Sequence, residues 1–227
     1  MKKILFTICM RSGSKGLKNK HFKKIGGKPL FHHTLNYVNK IKKLNLTAVS
    51  TNSRKILRQS KNFNVNFLIR RPSRLATQKS SKIPVIKHAL IEAERISGNK
   101  FDYIADFDAT SPLRKKNDFK NALKLFLNKN ADLLITGTKS RKNPYFNMVE
   151  IKNNNAQLVK VGNFKRRQDA PKVYDMNASI YIWDRKTLLK SNTVFHNKTS
   201  VYLMPEERSI DIDNSFDLKI VSYLLKK

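Results

Sequence analysis

Over its first two thirds the chain alternates short apolar runs with amphipathic segments, the pattern of a parallel sheet flanked by helices. Residues 3–9 read as the first strand. A Gly- and Lys-rich loop follows. Pro29 then opens a helix to about Lys43, at a position where proline's missing N–H costs nothing. Residues 46–50 form the second expected strand, with Asn52 or Ser53 capping a helix to about Asn62. The third strand spans 65–69 and a loop spans 70–82. Pro84 starts a helix to about Ile96, with Val85, His88, Ala89 and Glu92 at helical spacing. A strand at 103–107, a helix at 118–127 and a strand at 133–138 continue the series.

The pattern then changes. Segments 145–151, 157–161 and 178–183 read as β structure between Asn-rich turns, which predicts an inserted or projecting lobe at about 140–175. A strand near 201–204 and a helix over about 214–225 close the main body. The whole, residues 1–227, is read as a single domain, and no internal repeat is visible.

Composition narrows the class further. A chain of 227 residues with 40% hydrophobic content supports one sizeable core, or a core with a small lobe. One cysteine, Cys9, excludes an internal disulfide framework and suits a reducing cytoplasm. The apolar run after Lys2 and Lys3 is met at once by Arg11 and has no small-residue cleavage site, so it reads as a buried strand and not a signal peptide. No other run approaches the roughly 18 apolar residues of a membrane span, and a soluble protein is expected. The net charge of +31 invites a nucleic-acid reading. Its lysines, however, are scattered along the chain among many Asn, Ile and Phe residues, as an AT-rich coding bias would place them. Neither zinc-finger spacing nor an aromatic RNA-binding signature accompanies them. A general attraction for small polyanions fits better than a dedicated nucleic-acid role.

Three motifs carry chemistry. Arg11-Ser-Gly-Ser-Lys-Gly-Leu-Lys-Asn-Lys20 follows the first strand, at the carboxyl end where α/β sheets bind ligands. Gly13 and Gly16 let the backbone turn and bring N–H groups to a phosphate chain, while Arg11, Lys15 and Lys20 supply cations. The spacing is neither that of a Walker A loop nor that of a dinucleotide-binding loop. In Ser209-Ile-Asp-Ile-Asp-Asn-Ser-Phe-Asp217, an extended backbone points Asp211 and Asp213 to the same side. Such a pair suits Mg²⁺ bound to substrate phosphates, while a purely structural reading has Asp213 and Asn214 capping the last helix. Asp217 lies in that helix's first turn, where it favours the dipole. The third motif, Asp106-Phe-Asp-Ala-Thr-Ser-Pro-Leu-Arg114, sets carboxylates and hydroxyls at a strand end, facing a substrate or only serving a turn.

The loop at 11–20, Arg71-Pro-Ser-Arg-Leu-Ala76, Asp108-Ala-Thr-Ser-Pro-Leu-Arg114, Asn177-Ala-Ser-Ile-Tyr181 and Ser209-Ile-Asp-Ile-Asp213 together resemble the CMP-nonulosonate cytidylyltransferases. That family includes the CMP-N-acetylneuraminate synthetases, and the motifs stand in the family's order across nearly the whole chain. Asp108 stands where sialate enzymes carry Gln. Together with Lys142–Asn147 and Arg167–Asn177 it resembles the legionaminic-acid branch. The resemblance implies a three-layer, Rossmann-like nucleotide-diphospho-sugar-transferase fold with a small projecting dimerisation lobe. It implies that Arg11, Ser12, Gly13, Ser14, Lys15 and Lys20 hold the triphosphate of CTP, with Arg71 and Ser81 placing the nucleotide. Asp211 and Asp213 would hold Mg²⁺ or Mn²⁺. Asp108, Thr110, Ser111, Arg167, Gln168, Asn177 and Tyr181 would meet the sugar, Arg167 reaching across a homodimer to the partner's site. Two features depart from the family pattern. His21 replaces an Asn, and Lys79 and Lys82 replace small or hydroxyl residues.

The reaction so implied is attack by the sugar's anomeric hydroxyl on the α-phosphate of CTP, releasing pyrophosphate. Such transfers need positioning and charge neutralisation more than covalent help. His21, His32, His33 and His88 read as surface or packing residues, and no side chain is assigned as general base. The rival readings are a synthetase for sialic, pseudaminic or ketodeoxyoctonic acid and, from another class, a non-catalytic nucleic-acid-binding protein.

Overall fold

The computed structural model describes residues 2–13 and 16–226. The first strand, β1 (Ile4–Cys9), is followed by a two-residue-per-arm hairpin, β2 (Lys24–Ile25) and β3 (Lys28–Pro29), and by helix α1 (Leu30–Ile41). Next come β4 (Leu46–Thr51), α2 (Arg54–Ser60), β5 (Phe67–Arg70), α3 (Lys82–Ser97), β6 (Tyr103–Phe107), α4 (Lys116–Asn128) and β7 (Leu133–Lys139). A hairpin of β8 (Val149–Lys152) and β9 (Asn155–Leu158) leads to β10 (Tyr174–Asp184), α5 (Arg185–Lys190), β11 (Thr199–Leu203) and α6 (Ser215–Leu224).

Seven strands make one sheet in the order β11-β7-β10-β6-β1-β4-β5. Every pairing is parallel except those of β10, which runs antiparallel to both β6 and β7. Side-chain alternation sorts the central strand between two cores. Ile4, Phe6 and Ile8 face one cluster with Phe31, Leu35 and Val38 of α1 and Phe119, Ala122 and Phe126 of α4. Leu5 joins the opposite cluster, built on Ile86, Ala89, Leu90 and Ala93 of α3. With both faces covered, β1 is apolar but for Thr7, close to the continuous run of a buried parallel strand. Phe6, Phe107 and Phe119 meet edge to face at 5.0–5.4 Å between centroids. Truncating Phe6 to Ala should cost about 3–5 kcal/mol, because the rigid sheet cannot collapse into the cavity.

Several boundaries differ from the sequence expectation. Helix α3 begins at Lys82, two residues before Pro84. Proline is accommodated there because N–H groups of the first turn have no intrahelical acceptor to lose. Helix α5 was not anticipated; its N-cap, Asp184, accepts a hydrogen bond from Thr187 N at 3.0 Å. Strand β10 is much longer than 178–183, with an irregularity between Met176 and Tyr181 that includes Ala178 at φ 49°. The β8–β9 turn is tighter than expected: Asn153 and Asn154 both adopt positive φ, as a two-residue hairpin connection requires. These two strands pair only with each other among the described residues, and all eight of their residues are exposed.

Candidate functional site

The carboxyl ends of β1, β4 and β6 lie side by side, and the segments leaving them shape a cleft of about 250 Å³. Its lining includes Arg11, Lys20, Arg71, Lys82, Asp108, Thr110, Asp211 and Asp213. The loop after β1 supplies one wall. Gly13 takes φ 85°, a left-handed conformation that a side chain would strain. Ser12 is tied to the end of β4, its N–H donating to Asn52 Oδ1 at 2.9 Å and its hydroxyl accepting from Asn52 Nδ2 at 2.8 Å. Arg11 donates to Gly13 O at 3.3 Å. Lys20 reaches across to Asp213, 2.9 Å away. Gly16 packs so closely on the Asp213 carbonyl oxygen that a β-carbon there would collide with backbone. Beside it comes Arg71, buried at the end of β5, with Nη2 donating to Ser50 O at 2.9 Å.

The end of β6 builds the opposite wall. Asp106 is fully buried, with Oδ1 accepting from Thr7 Oγ1 at 2.7 Å. Asp108 Oδ1 accepts from Thr110 N at 3.0 Å and from Thr110 Oγ1 at 2.7 Å, an Asx-type local closure. Lys82, the first residue of α3, brings its ammonium to 3.1 Å from Asp106 Oδ2 and 3.0 Å from Asp108 Oδ2. It also lies 4.6 Å from the centre of the Tyr181 ring. Burial alone would push Asp108 up, but the Lys82 charge and the Thr110 donors outweigh it and hold the carboxyl well below its ordinary value. Burial would likewise pull Lys82 down; Asp108 and Asp106 more than reverse this. The last residue of the motif, Arg114, is buried and fastens the wall from behind. It donates to Ser179 O at 2.7 Å, Thr34 Oγ1 at 2.7 Å and Asp108 O at 2.8 Å.

The aspartate pair closes the cleft. Ile212 between them is buried with Ile25, Leu30 and Val221, so Asp211 and Asp213 both turn to the cleft. Capping of α6 belongs to other residues. Asn214 Oδ1 accepts from Phe216 N and Asp217 N, and Asp217 Oδ2 accepts from Asp213 N and Asn214 N. Of the capping reading, Asn214 holds as the N-cap, while the Asp213 carboxylate takes no part in the cap and pairs with Lys20. Burial first, then the charges of Asp108 and Asp213, push Asp211 up to about 6. The two carboxylates offer hard oxygens of the kind that could hold a divalent cation, with Lys20 as the counter-charge now on Asp213. Among the described residues no three His, Cys, Asp or Glu side chains cluster as a cage for a metal ion.

Not every expected residue reaches this cleft. Ser14 and Lys15 lie outside the described residues. Ser81 lines it, directly before α3. Ser111 is buried beneath it, donating to Asp211 Oδ1 at 3.4 Å. Asn177 spends its side chain inside the protein, accepting from Thr136 Oγ1 at 2.6 Å and donating to Ser209 Oγ at 3.0 Å. Arg167 and Gln168 line a separate groove of about 580 Å³ with Lys139, Lys142, Lys172 and Tyr174. There Arg167 donates to Arg141 O. Of the four histidines read as surface or packing residues, His21 instead lines the cleft, where burial pulls its pKa down to about 4, leaving a neutral imidazole at pH 7. Sequence reasoning passed over Lys82 as a site residue. The signal was a cation in the first turn of a helix, where the dipole disfavours positive charge. Cys9 also borders the cleft, but burial and Asp106 push its thiol well up, so no reactive thiolate forms.

Residues 5–222 match the model of a family described as Cytidylyltransferase. A CMP-N,N'-diacetyllegionaminic acid synthase of Campylobacter jejuni subsp. jejuni is 40% identical over 225 residues, covering 99% of this chain and 96% of that protein. The post-translational flagellin modification protein B of Campylobacter coli is 38% identical over 227 residues, covering 100% and 97%. Among solved structures, CMP:2-keto-3-deoxy-manno-octonic acid synthetase complexed with CTP aligns with a TM-score of 0.69 over 99% of each chain. Its sequence identity is 14%, so that likeness speaks to the fold alone.

Proposed function

This chain belongs to the cytidylyltransferase family, and from that premise we propose that it joins CMP from CTP to a nine-carbon acidic sugar of legionaminic type, releasing pyrophosphate. The observation that carries the reading is the two-sided cleft, with Arg11, Lys20 and Arg71 on one side and Asp108, Asp211 and Asp213 on the other. The 40% identity to a legionaminic acid synthase over 99% of the chain supports the choice of sugar.

In this reading Arg11 and Lys20 bind the triphosphate and offset charge that builds on the departing pyrophosphate. Gly13 and Ser12 hold the loop backbone within reach of phosphate oxygens, Ser12 through its pair with Asn52. Arg71 and Ser81 place the nucleotide, and Thr110 keeps Asp108 turned toward the sugar's side of the cleft. Asp211 and Asp213 would hold Mg²⁺ or Mn²⁺, which when bound supplies phosphate charge neutralisation and lowers the pKa of an attacking hydroxyl. His21 is neutral at pH 7 and offers one donor and one acceptor to the bound substrates.

The sugar's carboxylate calls for a guanidinium, which binds it bidentately. Arg167 fills that role at the cleft of a second copy in a homodimer. Support comes from the exposed apolar residues of the lobe, among them Ile151 at 76% and Val161 at 93% exposure, which a partner would cover. A cytoplasmic location accords with the lone Cys9, and among the described residues no helix is long and apolar enough to cross a membrane.

The test is direct. Purified protein, CTP and Mg²⁺ are incubated with legionaminic, sialic, pseudaminic and ketodeoxyoctonic acids, and pyrophosphate is measured. Fastest release is expected with legionaminic acid, and excess chelator should stop it. Release with none of the acids, together with tight salt-sensitive RNA binding, would turn the reading toward a nucleic-acid-binding protein.

A further inference from the structure

Lys82 stands in an electrostatically poor place. It is the first residue of α3, a 16-residue helix, and no side chain caps that end. A cation there opposes the helix dipole, and drawing an ammonium out of water adds to the cost. The chain tolerates this because the ammonium meets two carboxylates, Asp106 at 3.1 Å and Asp108 at 3.0 Å. A third contact is a hydrogen bond to Ala178 O at 3.4 Å. Of its three donors, one is given to Asp108 Oδ2 and one to Ala178 O, while Asp106 holds it as an ion pair. Lys82 is thus held between two carboxylates, whereas on the loop after β1 Lys20 holds one exposed carboxylate and Arg11 a loop carbonyl.

What the ammonium does is join three elements. It links the start of α3 to the end of β6 through Asp106 and Asp108, and to β10 through Ala178 O and the Tyr181 ring. In the sheet order β10 and β6 lie to one side of β1, while β4 and β5, which lead to Asn52 and Arg71, lie to the other. The groups that the Lys82 ammonium contacts lie on the β6–β10 side. Without Lys82, Asp106 and Asp108 would leave uncompensated negative charge beside Asp211. An acidic sugar approaching that wall would be repelled, and Asp108 would keep only its Thr110 contacts.

We propose that Lys82 is a positioning residue for the acceptor: by pinning and neutralising Asp108 it sets the β6–β10 wall against which the acidic sugar is placed, and leaves the triphosphate to the cations of the β1 loop. This rests on the acceptor being an acidic sugar, as proposed above.

The experiment compares wild type, Lys82→Met, Lys82→Arg and the double variant K82M/D108N. Sugar KM is measured by pyrophosphate release at saturating CTP, and CTP affinity by calorimetry in Mg²⁺ without sugar. For Lys82→Met the sugar KM should rise at least tenfold, while the CTP dissociation constant changes less than threefold. The double variant, which leaves no unpaired charge at position 108, should recover at least half of that loss on a logarithmic scale. A lesion that only loosened the fold would move both substrates together and would not be rescued by Asp108→Asn. Equal effects on both substrates, an unchanged sugar KM, or no recovery in the double variant would overturn the inference. Should Lys82→Met fail to fold, Lys82→Arg carries the test. It keeps the charge but not the three-way contact, and a sugar KM within twofold of wild type would overturn the proposal. Wild-type protein inactive on every acid in the panel would instead remove the functional reading, and this inference with it.

Discussion

The two walls of the cleft are built in opposite ways. On the β6–β10 side, Asp106, Asp108, Lys82 and Arg114 each have at least two polar partners inside the protein. On the β1-loop side, Arg11 contacts only a carbonyl of its own loop among the described residues, and Lys20 holds an exposed carboxylate. The first wall is ordered before any ligand arrives, so binding against it costs little further ordering. The second keeps its cations available to exchange a weak internal contact for a phosphate. Geometric selectivity therefore belongs to the first wall and charge capture to the second.

Asp211, which borders both walls, should show the largest effect. Asp211→Ala is expected to lower pyrophosphate release by about 10³-fold or more with the fold retained by circular dichroism. Near-normal release would remove the aspartate pair from the chemistry. Next, Lys20→Ala should raise the KM for CTP by about 10–100-fold, the worth of a charge-assisted contact, with a much smaller effect on the sugar. A mainly sugar-side effect would dissolve the contrast between the walls. Arg167→Ala sharpens the comparison from outside the cleft. It should raise the sugar KM by about tenfold, and only if a second copy supplies that arginine. Mixing it with an inactive Asp211→Ala protein should then restore part of the activity by pairing intact sites across copies.

The smallest effect concerns the protein without ligand. Asp211 titrates at about 6 in the fold and near the ordinary carboxylate value when unfolded. An acid raised in the folded state destabilises it once both states are ionised. The cost is absent below about pH 4, grows between roughly 4 and 6, and is complete above that. Asp211→Asn should therefore raise the melting temperature at pH 7.5 by about 5–10 °C and leave it unchanged at pH 3.5. A gain of the same size at both pH values would argue against charge crowding as its source.

How far the residues announced this arrangement depended on whether a signal was local. The β1 strand, the paired aspartates and the glycine turn at Gly13 were legible, because alternation and backbone freedom act over a few residues. The separation of Arg167 from the cleft was consistent with its expected place on the lobe. Lys82 and Asp108 each drew notice in the sequence, as separate departures from a resembled pattern. That they form one ion pair depends on α3 starting two residues earlier than Pro84 suggested and aiming its first side chain at the end of β6. The burial of Asn177 was equally hidden, since Thr136 and Ser209 meet it only through the sheet and the segment after β11.

Gly16 has a consequence for heredity. The contact between its backbone and the Asp213 carbonyl leaves no room for a β-carbon, so the loop and the aspartate segment cannot drift independently. A side chain gained at position 16 would survive only beside a compensating shift at 213. Lys20 and Asp213, whose ion pair reinforces the same junction, lie 193 positions apart. A recombination breakpoint anywhere between them would unite a loop and an aspartate segment shaped for different partners. Chimeras of related genes should accordingly lose activity when the crossover separates these segments and keep it when both come from one parent.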